Sequence, residues 1–349
     1  MLPLYFNNIA SGLDISERAF RLVQLKKINK KIKLASYNYI SVPKGVIIEG
    51  KIVDEKKAIE LINSLIKNIK GHKLSNRKIN VCLPEQKTFI KLINLTYPEG
   101  KNILEEIVQE AKKHIPYSIN EVYLDWQYVN AKDNSQILIG VCPKEIVDNY
   151  QDVLIKAELI PCSLEIEAVT LARTIFPFKE KITEPVMVLD LGAKRTGLFV
   201  YSENTIPFTI SLGFSSDNLT EIISNQLMIS LNESEEVKHK LGLNSDKAQG
   251  YSERIIGPEI KKLAQRIREA NYFYSEHFQN QQEIKNLYLT GGGSYMPKLN
   301  NYLEKETKLK VHLTNPLMNI SYDKIKLPEN QESSYTTAIG LALKNLLIN

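Results

Sequence analysis

The 349-residue chain has no run of about 18 uncharged apolar residues, the length a membrane-spanning helix needs. Its opening, Met1-Leu-Pro-Leu-Tyr-Phe6, is apolar but lacks the basic start and long hydrophobic stretch of a signal peptide; Leu2, Leu4, Tyr5 and Phe6 are expected to tuck onto the domain or to touch a membrane surface. Cysteine is scarce. Cys82, Cys142 and Cys162 are an odd, widely spaced set in apolar contexts, which excludes a disulfide framework and predicts buried, reduced thiols in a cytoplasmic protein. The histidines His72, His114, His239, His277 and His312 are scattered, so neither a zinc site nor a Cys/His nucleophile is supported. No dinucleotide fingerprint or Gly-Lys-Ser/Thr phosphate loop occurs, which excludes a Rossmann dehydrogenase and a Walker NTPase. Charge of one sign is also lacking. Lys plus Arg number 45 against 40 Asp plus Glu, a net of +5 spread through the chain, so nucleic acid is not expected as a partner.

What is present suits a globular protein of two or three domains: 43% hydrophobic and 24% charged residues. Strand and helix patterns alternate, as in α/β domains. Helical spacing is clear over 55–70, where Ala58, Leu61, Ile62, Leu65, Ile66 and Ile69 form one apolar stripe, followed by a strand at 78–84. A segment of different rhythm spans 87–157 and reads as an α+β insertion, with helices at 103–115 and 144–157 and strands at 121–130 and 136–142. Two helices are predicted over 218–242, a long one over 252–280, a strand at 286–290 and helices at 297–307 and 335–347. Gly340, inside the last helix, implies close approach of another backbone. The lysines Lys26, Lys27, Lys30, Lys31 and Lys33, interleaved with Ile28 and Ile32, read as the solvated face of a hairpin.

One pattern recurs at half the chain length. Gly12-Leu-Asp-Ile-Ser16 and Val188-Leu-Asp-Leu-Gly192 each end an apolar strand in Asp and lead through a tight turn into a second strand, with Asp14 and Asp190 176 residues apart. Such a turn can hold a hydrated Mg²⁺ on the Asp while backbone N–H groups face phosphate, or it can be a plain hairpin. Arg21 could supply a cation to the first turn, whereas Glu17 brings an acid to it. A third turn, Thr290-Gly-Gly-Gly-Ser294 before a helix, allows close approach of a backbone or flat ring, and the helix start favours an anion. Two half-length Asp turns plus this late glycine turn are the layout of an actin-like nucleotide cleft.

On these residues the chain resembles the actin-like ATPase superfamily, and within it the PilM-type type IV pilus assembly family, related to FtsA. More specific to that family are His114-Ile-Pro-Tyr117, Glu121-Val-Tyr-Leu-Asp-Trp-Gln127, Pro143-Lys-Glu-Ile-Val-Asp-Asn-Tyr150 and Glu165-Ile-Glu-Ala-Val-Thr-Leu-Ala-Arg173. The resemblance implies an α/β actin-like ATPase fold, two halves flanking a nucleotide cleft, with an inserted α+β subdomain. It divides the chain into 1–86 with 158–184 (1A), 87–157 (the insertion, 1C), 185–215 with 284–349 (2A) and 216–283 (2B). It implies ATP and Mg²⁺ as ligands. Asp14, Ser16 and Arg21 would belong to the first phosphate loop, Asp190, Gly192, Ala193 and Thr196 to the second, with Asp14 and Asp190 toward the metal. Gly291, Gly292, Gly293 and Ser294 would face adenosine, Glu235 and Lys238 the ribose or base, and Glu167 would orient the attacking water, giving at most weak hydrolysis. The implied role is a cytoplasmic ATP-binding adaptor at the inner membrane, capturing the cytoplasmic N-terminal tail of a PilN-like membrane protein and open to self-association. The enzyme reading, a sugar-kinase-type phosphotransferase, would need Glu165 or Glu167 as base. An FtsA-like division protein would end in an amphipathic membrane helix, whereas this sequence ends at Leu347-Ile-Asn349 after its tail helix, and the acid Glu17 in the first turn leaves a third alternative, a degenerate scaffold that binds no nucleotide.

Overall fold

The computed structural model describes residues 9–95, 102–130, 133–178, 180, 182–278, 282–321 and 325–347. Leu2, Leu4, Tyr5 and Phe6, and the expected helix end at Asn280, lie outside these residues. The chain forms two compact units: Met1–Lys181, Thr205–Thr209 and Pro316–Asn349 make unit 1, and Ile182–Asn204 with Ile210–Asn315 make unit 2.

Unit 1 begins with β1 (Ser11–Ile15), β2 (Ala19–Ile28) and β3 (Lys31–Ser41), then the short β4 (Ile47–Ile48) and β5 (Lys51–Ile52). Helix α1 (Glu55–Lys67) starts where the Asp54 side chain accepts from the Lys57 N–H at 2.9 Å. It buries Ala58, Leu61, Ile62 and Leu65; a fully buried leucine or isoleucine contributes about 1.5–3 kcal/mol. The helix stops short of Lys70 because Lys70 and Gly71 form β6 and pair with β3. Next come β7 (Lys78–Leu83), β8 (Phe89–Asn94), α2 (Ile103–Lys112), β9 (Val122–Asn130), β10 (Asp133–Pro143), α3 (Lys144–Lys156), β11 (Ile160–Ile166) and α4 (Glu167–Ile175). The main sheet has the order β11-β7-β1-β2-β3-β6, with β1 antiparallel to β2 and parallel to β7. A second sheet, β8-β10-β9, packs Ile93, Ile137 and Ile139 against Ile107 and Ala111 of α2. Its β8 edge is met by Pro207, whose carbonyl accepts from the Leu92 N–H at 3.3 Å. Helix α3 departs from the expected division. Its Ile146, Tyr150, Val153 and Leu154 join the core of the main sheet with Leu13, Ile62 and Val81, so this part of the 87–157 segment packs with the strands on either side of the insertion.

Unit 2 is built on β12 (Val186–Leu191), β13 (Thr196–Tyr201) and β14 (Thr209–Leu212), followed by α5 (Ser216–Leu227), α6 (Leu231–Lys240), α7 (Tyr251–His277), β15 (Asn286–Thr290), α8 (Leu299–Thr307) and β16 (Lys310–Leu313). Its sheet order is β14-β13-β12-β15-β16, with β12 parallel to β15. Helix α6 opens with a reciprocal capping box between Ser230 and Glu233.

The last helix, α9 (Thr336–Leu347), corrects the expected domain boundary. The sequence division left 316–349 with the second half, yet these residues belong to unit 1, where Ala338, Ile339, Ala342 and Leu343 pack with Val23, Leu25 and Leu34. Two glycines make this possible. A Cβ on Gly12 of β1 would strike the Ala338 carbonyl and stand 2.7 Å from the Ala342 nitrogen; one on Gly340 would strike the Thr170 carbonyl of α4 and stand 2.6 Å from the Thr174 hydroxyl. The close approach expected from Gly340 is therefore present.

Candidate functional site

In unit 1 the first Asp turn is a hairpin. Ser16 donates both its N–H (3.2 Å) and its hydroxyl (2.9 Å) to the Ala19 carbonyl, closing the turn on itself. Asp14 faces Arg21 across β1 and β2, and Arg21 Nη1 donates to Asp14 Oδ2 at 3.3 Å. Burial pushes the Asp14 carboxyl above the usual carboxylate range, and the Arg21 guanidinium pulls part of that shift back. Arg21 lies over the Tyr39 ring, and its buried Nε has no hydrogen-bond partner among the described residues. Glu17, expected to place its charge over the turn, instead accepts from the Gly50 N–H at 3.2 Å.

Glu167 begins α4 and accepts from the Thr337 hydroxyl of α9 at 3.2 Å, which makes it a helix-start acid tied to the tail helix. Glu165 is 7% exposed and sits between two cations, Arg173 Nη2 at 2.6 Å and Lys344 Nζ at 2.8 Å, with the Ser163 hydroxyl also donating at 3.2 Å. Both of its oxygens are occupied by donors, so it presents no free oxygen to an acceptor hydroxyl. His114, of the family-like His114-Ile-Pro-Tyr117 segment, follows α2 and lies with Nδ1 2.9 Å from Lys91 Nζ on β8.

In unit 2 the second Asp turn is fastened outward. The Gly192 and Ala193 carbonyls accept from the Ser216 (3.2 Å) and Asp217 (2.9 Å) N–H groups, which fixes the start of α5, and Lys194 pairs with Asp217 at 3.1 Å. A Cβ on Gly192 would stand 2.6 Å from the Arg195 carbonyl, so the turn requires glycine there. Thr196 is fully buried, and its hydroxyl has no partner among the described residues. The glycine turn seats on the end of β12. Gly291 has φ +81°, and a Cβ there would stand 2.6 Å from Asp190 Oδ1. Gly293 packs against Leu191, and Ser294 donates from its hydroxyl to the Gly291 carbonyl at 2.7 Å. The helix expected over 297–307 is present, two residues later at its start. A 3₁₀ turn over Gly292–Tyr295 intervenes and α8 starts at Leu299, so its N-terminal N–H groups are not those of the glycines.

Lys238 and Glu235, expected near the ribose or base, are held in a hydrogen-bond network with α5. Lys238 Nζ is buried, and its three N–H groups are shared among the Ser216 carbonyl (3.0 Å), the Ser216 hydroxyl (2.7 Å), the Thr220 hydroxyl (2.8 Å) and Glu235 Oε2 (2.8 Å). Burial pushes the Glu235 carboxyl up, but hydrogen bonds from His239, Lys238 and Thr220 outweigh it and hold the group at about 2. Lys238 lines a pocket of about 330 Å³, counting space open to solvent, together with Leu191, Phe214, Leu219, Gly293 and Met296. Its closed part has room for about one water. Phe214, Leu219 and Met296 carry no motif; the helical spacing of Leu219 and Ile223 is a signal that could find Leu219, and none marks Phe214 or Met296.

Cys82 and Cys142 are buried as expected, whereas Cys162 is exposed, because β11 is the edge strand of its sheet. Among the described residues no cluster of three or more His, Cys, Asp or Glu side chains is arranged to hold a metal, and no helix is long and apolar enough to cross a membrane.

Residues 12–346 match the family model described as type IV pilus assembly protein PilM. The structure is similar to that of a PilM-PilN type IV pilus biogenesis complex, with TM-score 0.82 and 22% identity over 97% of this chain and 99% of that one. It is also similar to the ethanolamine utilization protein EutJ from Carboxydothermus hydrogenoformans (TM-score 0.58, 15% identity, 96% of this chain and 89% of that one). MreB5 of Spiroplasma citri bound to ADP matches at TM-score 0.53 and 11% identity, over 97% of both chains. The fold is thus the actin-like ATPase fold, and the family match spans nearly the whole sequence. This chain belongs to the PilM family of type IV pilus assembly proteins.

Proposed function

We propose that this protein is an ATP-binding adaptor of type IV pilus assembly that works at the cytoplasmic face of the inner membrane and captures the N-terminal tail of a PilN-like membrane protein. Family membership and the likeness to a PilM-PilN complex support the partner. One observation carries the nucleotide: each unit holds a buried, unpartnered polar atom at its Asp turn, Arg21 Nε in unit 1 and the Thr196 hydroxyl in unit 2. Buried donors are rarely left without an acceptor, and phosphate oxygens are acceptors.

On this reading Asp14, Ser16 and Arg21 of unit 1 are phosphate-binding residues, and so are Asp190, Gly192, Ala193 and Thr196 of unit 2. Asp14 and Asp190 are the residues that would hold Mg²⁺. When bound, Mg²⁺ neutralises phosphate charge. Gly291, Gly292, Gly293 and Ser294 form the floor for the nucleoside. Lys238, which lines one pocket with Gly293, and Glu235 serve the nucleoside while bonded to α5, and the small room in that pocket favours weak binding. Glu167, tied to Thr337, is poorly placed to direct a water, so the nucleotide acts as an occupancy signal and hydrolysis is slow. The occupied oxygens of Glu165 weigh against the phosphotransferase reading.

Calorimetry with ATP tests the nucleotide: Asp190→Ala is expected to lower affinity by about tenfold or more, the loss of one charge-assisted contact, with an unchanged melting temperature. Unchanged affinity would remove nucleotide from the proposal. A pull-down with the partner's tail peptide tests the adaptor role separately, and no capture with or without ATP would sink it.

A further inference from the structure

The lysine-rich segment read as a solvated hairpin face has properties that solvation alone does not require. Residues 18–48 and 61–84 carry thirteen Lys and Arg and no Asp or Glu. The fold brings the β2–β3 hairpin and β6 together at one edge of the main sheet, because β3 pairs with β2 on one side and with β6 on the other, while β7 lies beyond β1. In the register of the hairpin, Lys26 stands directly opposite Lys33, and Ile28 opposite Lys31, so three lysines and one isoleucine share a face. Like charges placed opposite each other weaken a sheet. Lys26 Nζ lies 3.2 Å from His72 Nε2, in the loop after β6. The turn repeats the pattern: Asn29 and Lys30 both have positive φ, and the second such position, where glycine is favoured, carries a lysine. Among the described residues Lys27, Lys30 and Lys31 take no carboxylate partner. The segment gives up local stability at two places to keep positive charge exposed.

We propose that this end of unit 1, the outer part of the β2–β3 hairpin with β6, docks on the surface of an anionic lipid bilayer. The chemistry favours lipid over nucleic acid. Lysine is a point charge suited to a diffuse layer of headgroups, whereas base and strand recognition draws on Arg, Asn, Gln and aromatic side chains, of which 25–35 contains only Asn29. Ile28, half-buried among the lysines, can enter the headgroup layer. Ile9, which follows the apolar Leu2, Leu4, Tyr5 and Phe6 in sequence, packs on the cluster that contains Ile32 and Leu34. The inference needs neither ATP nor a protein partner, and it stands or falls apart from the adaptor reading.

The test is sedimentation of the full-length protein with vesicles of one part phosphatidylglycerol to three parts phosphatidylcholine, and with phosphatidylcholine alone. Binding is expected only to the anionic vesicles, and it should disappear at about 0.5 M salt, where the screening length is only a few ångströms. The triple variant Lys26→Glu, Lys30→Glu, Lys31→Glu should lower partitioning about 100-fold at low salt. Should it melt early, the corresponding glutamine triple replaces it, with a smaller loss. A control triple with the same charge change in unit 2, Lys247→Glu, Lys261→Glu, Lys305→Glu, should keep most of the binding. Equal loss in the control would show that net charge acts and not this face; equal binding to neutral vesicles, or hairpin-dependent capture by duplex DNA that displaces the vesicles, would overturn the proposal.

Discussion

The two Asp turns start from nearly the same residues and end in different structures. In unit 1, Ser16 closes the turn on its own hairpin and Arg21 of the facing strand neutralises the acid. In unit 2 the turn carbonyls hold the start of α5, and a glycine turn lies against Asp190. The comparison extends one step back along each strand: Gly12 precedes Leu13-Asp14, and Val188 precedes Leu189-Asp190. Gly12 gives way to the α9 backbone, while Val188 fills a core with its own side chain. A shared strand-Asp pattern therefore fixes the strand end, and what packs behind and in front of it decides what the turn can do.

The sharpest way to break this comparison is to make the strands alike. Gly12→Val drives a side chain into α9 and should cost about 3 kcal/mol or more, read as early unfolding of unit 1 in hydrogen exchange while the β12 amides of unit 2 stay protected. The next effect concerns the acid itself. Arg21→Met leaves Asp14 buried beside no cation and should cost about 2–3 kcal/mol at pH 7. Since burial already raises the Asp14 carboxyl, the folded state holds its proton longer than the unfolded one. Stability in this variant should fall as pH rises through and beyond 4, more steeply than in the parent, and Asp14→Asn in the same background should flatten the slope. Melting temperature against pH checks both statements. The smallest effect belongs to unit 2. Glu235, held at about 2 against an ordinary 4.5, stabilises the α5–α6 pair above pH 4.5 and loses that contribution as pH falls toward 2. Its side chain is 40% exposed, so solvent screening keeps the contribution under about 1 kcal/mol. Glu235→Gln should remove the acid-dependent rise in amide exchange of α6, and persistence of that rise would assign it to another group.

Much of this architecture was legible in the chain. The 286–290 strand was read with its observed limits because an apolar run stops abruptly at three glycines. The long helix expected over 252–280 runs over Tyr251–His277, the pair expected over 218–242 falls at Ser216–Leu227 and Leu231–Lys240, and Gly340 has the close contact it implied. The misreadings share a cause. Periodicity shows that α3 and α9 have apolar faces but not which sheet receives them, so both were placed with their sequence neighbours. In the site, the acids and glycines were found, but their commitments were not. The bonds from Lys238 to Ser216 and Thr220, and from Glu17 to Gly50, join residues 18 to 33 positions apart, beyond the reach of any local pattern. Cys162 was misread because its apolar neighbours in sequence lie on an edge strand.

The return of α9 to β1 also sets an order of assembly. The backbone against which Gly12 packs is at Ala338, so the first strand waits for nearly the entire chain before its neighbour exists. Unit 2, drawn almost wholly from one stretch of sequence, has no such wait. On the ribosome the second unit can therefore mature before the first, the reverse of the usual amino-to-carboxyl progression. A chain truncated after residue 315 and released should accordingly resist protease across 182–315 while β1 to β3 are cut, and equal resistance in both would refute this sequence of events.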